Sequence, residues 1–153
     1  MENKKPATRL TINQKEINKI TQFCNEHQIH YAFSDFKIAH LPTIDKGVTN
    51  KGIKVELHST INGDILIYLS KNKNTTQQLK QADENNNHKR IGELLGYPEC
   101  CITFFSQNYH QQILHENEYI LPALQNSGTL SFYNNIIMRY FDIGVLSHFP
   151  CSF

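Results

Sequence analysis

The sequence predicts an α+β fold: an N-terminal helix and a small antiparallel sheet with a β-hairpin, followed by a helical C-terminal half packed on the sheet. Three observations carry this. Runs of β-branched and aromatic residues fill positions 29–70, an Asn-Gly pair separates two of those runs, and apolar residues recur at helical spacing from about residue 75. The order of sheet then helices places the helices on one side of the sheet. All 153 residues read as one domain: a disordered tip over 1–10, helix plus sheet over 11–70, and a helical half over 75–153.

Each element has its own local cause. Thr11 and Gln14 have the spacing of a capping box, and Ile17, Ile20, Phe23 and Cys24 then share one face of a helix over about 12–27. Cys24 on that face reads as a small core residue. The stretch "IHYAFSDFKIAHLP" predicts one or two short strands ended by Pro42. "KVELHST" and "DILIYLS" flank "INGD", and Asn62-Gly63 predicts the hairpin turn because both residues accept positive φ. Val55 and Leu57 share a face of the first strand; Ile65, Ile67 and Leu69 share a face of the second. Ile91, Leu94 and Leu95 form a helical stripe that Gly96 is placed to stop in the left-handed conformation. Pro98 suits the start of the next helix, with Ile102, Phe105 and Tyr109 on one face and Cys101, Phe104 and Phe105 on another. Further helices are predicted around "NEYILPALQ", where Pro122 breaks or kinks the pattern, and "SFYNNIIMRYF", with "NSGT" as the turn between.

Composition excludes several function classes. Formal net charge is +1, and the basic residues form no stripe, so no nucleic-acid partner is expected. No apolar run approaches the ~18–20 residues that span a bilayer, and no signal-type stretch opens the chain. The expectation is a cytosolic protein that keeps its thiols reduced and meets a small molecule or another protein, not a membrane. The Asn- and Gln-rich patches "KNKNTTQQLKQ" and "ADENNNHKR" read as polar surface. There is no phosphate-binding glycine loop, no G-x-S-x-G and no HExxH.

The chemistry concentrates in "GYPECC" and "SHFPCSF". With Gly96 ending one helix and Pro98 opening the next, Glu99 and Cys100 fall in a first helical turn. The free backbone N–H groups there favour a thiolate, while the Glu99 charge opposes it. Consecutive helical residues point ~100° apart. Without local distortion the pair does not face one way. One natural division puts Cys101 inward with Phe104 and Phe105 and Cys100 toward the joint. An irregular first turn would let both share one ligand, and a disulfide between them would be strained. His148 and Cys151, three apart and stiffened by Pro150, have acceptable spacing for two ligands of one ion. Cys100, Cys101, His148 and Cys151 make a four-ligand set suited to zinc or an iron–sulfur cluster. The alternatives are a metal-free thiol protein, with Cys100 as catalytic nucleophile or redox centre, His148 as its base and Cys101 or Cys151 as resolving partner, and a non-enzymatic interaction domain with structural cysteines. His40 and His58 could flank a cleft, and Asp35 and Glu56 could act as bases, but their spacing selects none of them.

"GELLGYPECCITFF" followed some fifty residues later by "SHFPCSF" resembles an uncharacterised prokaryotic domain-of-unknown-function family with paired GYPxCC and HxPCS motifs. The resemblance covers residues 88–153, and its matching positions are Gly96, Tyr97, Pro98, Cys100, Cys101, His148, Pro150, Cys151 and Ser152. It implies no reaction. It also implies a further cysteine downstream, which this sequence, ending at Phe153, does not carry.

Overall fold

The computed structural model describes residues 5–40 and 52–114. The chain divides into two compact units, Met1–Pro98 and Glu99–Phe153. The expected helices around residues 117–125 and 131–141 lie outside the described residues, as does the turn between them.

The first unit is a four-stranded antiparallel sheet of order β1-β4-β2-β3. Its strands are β1 (Thr8–Ile12), β2 (His30–His40), β3 (Gly52–Glu56) and β4 (Asp64–Ser70). Central strand β4 is buried on both sides, and its side chains alternate between two cores. Ile65 and Ile67 join Ile12, with Ile17, Ile20, Tyr31, Phe33 and Leu69 packed around them. Leu66 and Tyr68 face the other way, among Ala7, Leu79, Ala82, Ile91, Leu94 and Leu95. Ile17 and Ile20 belong to α1 (Ile17–Glu26), whereas the second core is supplied by α2 (Lys73–Glu84) and α3 (His88–Leu94). Helices therefore cover both faces of the sheet, not one, because the period-2 pattern of β4 is apolar at odd and even positions alike. Each fully enclosed aliphatic side chain contributes about 1.5–3 kcal/mol.

Residues 8–12 form an edge strand that pairs Leu10 with Ile67 and Ile12 with Ile65. The alternation of "TRLTI" carried that signal beneath the polar lead-in. The capping box falls two residues beyond the expected Thr11 and Gln14. The Asn13 side chain accepts from Lys15 N, and Glu16 Oε2 accepts from Asn13 N. Ile17, Ile20 and Cys24 face inward as expected. Phe23 is 53% exposed and lies against the His27 ring with centroids 4.3 Å apart and the planes tilted by 49°.

The Asn62-Gly63 corner joins β3 to β4, but those strands are not neighbours. The hairpin pair is β2 with β3, and β2 separates β3 from β4. Neither Asn62 nor Gly63 has the positive φ of a tight hairpin turn. Glycine is required at 63 for space: a Cβ there would stand 2.7 Å from the Ile38 carbonyl oxygen. β2 also carries a bulge, since Phe33 and Lys37 oppose Ile67 and Ile65, four steps against two. Ser34 repairs the ladder at that point, its hydroxyl accepting from Leu66 N at 3.1 Å and donating to Phe36 O at 2.6 Å.

Three helices end in the same motif. In each, the residue after the C-cap has positive φ: Gln28 (51°), Asn86 (53°) and Gly96 (74°). The paired bonds of a Schellman turn follow. Ile29 N donates to Cys24 O, Asn87 N to Ala82 O, and Tyr97 N to Gly92 O. The "NNN" run is thus a joint and not mere polar surface. Asn85 is the C-cap of α2, Asn86 supplies the left-handed residue, and Asn87 caps α3 by accepting from Arg90 N.

Candidate functional site

The "GYPECC" motif straddles the boundary between the two units. Its first half is structural. Gly96 takes φ 74° where a Cβ would meet Pro6 Cδ at 3.1 Å, so both its backbone angle and its neighbour ask for glycine. Tyr97 packs against the α2–α3 core, with Lys5 Nζ 5.5 Å from its ring centroid. Pro98 then precedes the first helical residue of α4 (Glu99–Leu114).

The second half presents the thiols. Glu99 and Cys100 lie in the first turn of α4, as expected. Cys100 is exposed and Cys101 half-buried, yet their sulfurs stand 3.9 Å apart. The ~100° between neighbouring helical residues does not divide the pair, because each sulfur lies one bond beyond its Cβ and rotation about χ1 turns the two together. The distance is well beyond the ~2.05 Å of a disulfide, so the two sulfurs are not bonded to each other in this structure. Further along α4, Ile102 and Phe104 are buried, whereas Phe105 is 37% exposed.

His148 and Cys151 lie outside the described residues. Among the described residues, no three His, Cys, Asp or Glu side chains come together as a metal-ligand set. Of the other residues singled out, His58 and Glu56 are exposed on or just beyond β3. Asp35 is 76% exposed and pairs with Lys80 Nζ at 2.7 Å, which holds its carboxyl below the ordinary carboxylate range.

The sequence reading missed a charged cluster on the α2 side of the sheet. Asp83, with 4% of its side chain exposed, receives Arg9 from β1 at 2.8 Å and Lys54 from β3 at 3.2 Å, so one carboxylate ties both edge strands to α2. Lys54 Nζ also donates to Asp83 O and to Asn86 Oδ1, capping the carbonyl end of α2, and lies 4.4 Å from the Phe36 ring centroid. Beneath it the Tyr68 hydroxyl is enclosed without a hydrogen-bond partner. Burial, and then the Asp83 charge, push its pKa upward. The signal was present: Thr76, Leu79 and Asp83 share one helical stripe. With Arg9 and Lys54 already on it, the Asp83 carboxylate serves as a structural counter-charge and not as a base.

Fold and site together define an α+β protein with two adjacent thiols at a helix start, one exposed and one half-buried. Residues 42–153 match the family described as "Protein of unknown function (DUF483)", and the chain belongs to that family. The match begins well before residue 88 and takes in β3, β4 and α2. No curated protein and no solved structure matches the chain. Among the described residues, no helix is long and apolar enough to cross a membrane.

Proposed function

We propose that this is a cytosolic metal-binding protein in which Cys100 and Cys101 supply two thiolates to one zinc ion and His148 and Cys151 complete the set. The observation that carries this reading is the 3.9 Å between the two sulfurs. Two zinc–sulfur bonds of ~2.3 Å at a tetrahedral angle hold their sulfurs about 3.8 Å apart, so the pair needs almost no adjustment to share an ion. Exposure of Cys100 gives an ion access to the pair. Ligand thiols must lose their protons, and a reducing cytosol keeps them available for it.

Metal content of the anaerobically purified full chain tests the reading. The expected result is close to one zinc per chain, lost in Cys100→Ser, Cys101→Ser and Cys151→Ser and weakened in His148→Ala. Iron with acid-labile sulfide and visible absorption would replace zinc by a cluster on the same ligands. Less than about a tenth of an equivalent of any metal after anaerobic reconstitution, at a pH where thiols can deprotonate, would sink it.

A further inference from the structure

We infer that Cys100 and Cys101 form a reversible redox couple, closing on oxidation to a disulfide between adjacent residues that can no longer hold a metal ion. The regulatory part of this inference rests on the metal reading above; the redox couple itself does not.

The geometry assigns the two thiols different parts. Cys100 is exposed and meets the oxidant, whereas Cys101 is half-buried with its sulfur 3.9 Å from that of Cys100. A solvent-accessible thiol beside a resolving thiol is the arrangement of redox-sensing cysteines. With a low-molecular-weight disulfide as oxidant, the Cys100 thiolate attacks one of its sulfurs. A mixed disulfide forms and one small thiol leaves. The Cys101 thiolate then attacks the Cys100 sulfur and expels the second small thiol. One S–S bond is broken and one made, two electrons pass to the oxidant, and the two protein protons end on the two small thiols.

The same geometry makes the product easy to reverse. Adjacent Cα atoms are ~3.8 Å apart across a trans peptide, shorter than the 4.4–6.8 Å that disulfides usually span. Closure must also draw the sulfurs about 1.9 Å nearer, from 3.9 Å to ~2.05 Å. In a regular helix neighbouring Cα–Cβ bonds diverge, so closure takes residues 100 and 101 out of helical geometry. The first turn of α4 is where this costs least, because its N–H groups have no partner within the helix. Strained, exposed disulfides are the readily reduced, regulatory kind. A switch is therefore a better description of this pair than a staple. Both sulfurs are consumed in the bond, so oxidation and zinc ligation exclude each other.

The test uses the full chain, metal-free and reduced, titrated with oxidised against reduced glutathione. Intact mass and peptide mapping should show the loss of two hydrogens and a link between residues 100 and 101, fully reversed by excess reduced glutathione. In Cys101→Ser the glutathione adduct on Cys100 should accumulate and persist at least about tenfold longer than in the wild-type chain. Cys100→Ser should form neither product. Oxidation should also reduce the helical circular dichroism signal. A stable glutathione adduct in the wild-type chain, or a link from Cys100 to Cys151 in place of Cys101, would overturn the assignment. Zinc uptake by the reduced chain is measured separately. Oxidation without zinc binding leaves the couple standing and removes its regulatory role; zinc binding unchanged in the oxidised chain refutes the switch.

Discussion

In the first unit Cys24 lies on the inward side of α1 with 1% of its surface exposed, and burial pushes its thiol pKa up. In α4 Cys100 is exposed and its sulfur faces a second thiol at 3.9 Å. One side chain has opposite roles in the two regions. Inside the first unit several reactive groups are engaged by structure: Cys24 fills space, Asp83 pairs with two cations, and Lys37, 6% exposed, donates to Ser59 O and Ile61 O. At the start of α4 Cys100 stays exposed and Cys101 half-buried. A cysteine's residue type is thus a poor guide to its chemistry, and its exposure and nearest sulfur are better ones.

The largest expected effect tests that contrast directly. Alkylation of the native, metal-free chain should modify Cys100 at least about a hundredfold faster than Cys24, because Cys24 reacts only after α1 opens. Mild denaturant should accelerate Cys24 alone. Cys24→Ser should cost about 1–3 kcal/mol in urea unfolding, since it buries a hydroxyl where a thiol packed, whereas Cys100→Ser should stay within about 0.5 kcal/mol. Comparable alkylation rates at the two sites, mapped by peptide mass, would erase the distinction.

A second contrast lies within the motif, between its structural first half and its chemical second half. Gly96→Ala should destabilise the chain by about 1–2 kcal/mol, because alanine resists the left-handed angle and its Cβ would press on Pro6 at 3.1 Å. The same conformation is held by Gln28 at the end of α1. Gln28→Gly should therefore gain about 0.5 kcal/mol, the relieved strain being partly offset by the freer unfolded chain. Thermal unfolding of both variants checks the pair of signs. A destabilising Gln28→Gly together with a neutral Gly96→Ala would show that backbone angle does not govern these joints.

These elements also show what the sequence could reveal. Gly96 as a helix stop, the stripe of Ile91, Leu94 and Leu95, and the shared face of Ile65, Ile67 and Leu69 were legible because each depends on local periodicity or one backbone angle. The strand order was not. Asn62-Gly63 looks the same whether its glycine serves a turn or clears the Ile38 carbonyl, and only the insertion of β2 between β3 and β4 decides it. The matched family segment begins at residue 42, so its two strands lie apart in the sheet and are joined through β2, which precedes the match. The 3.9 Å approach of the two sulfurs was equally illegible, since helical spacing fixes Cβ directions and leaves the rotamers free.

The smallest expected effect concerns a group of the first unit that structure has only partly consumed. Glu84 Oε1 is buried without a hydrogen-bond partner and stands 3.4 Å from Lys80 Nζ. Burial raises the Glu84 pKa above its ordinary value, whereas the neighbouring Asp35 is lowered, first by its bond from Lys80. The two shifts act on stability with opposite signs. Glu84 binds its proton more tightly folded than unfolded, so its contribution is complete below the ordinary glutamate pKa and is lost as pH rises through the folded value. Asp35 contributes above the ordinary aspartate pKa, and that contribution is lost as pH falls through its lowered value. Glu84→Gln should therefore match the wild-type chain in acid and gain on it as pH rises to neutrality, by less than about 1 kcal/mol for a pair this near the surface. Asp35→Asn should lose its deficit only in acid. Urea midpoints from pH 3 to 8 separate the two profiles. A Glu84→Gln variant that weakens as pH rises would mean that the Lys80 ion pair outweighs the burial of the carboxylate, and that this edge of the first unit is as fully committed to structure as Asp83.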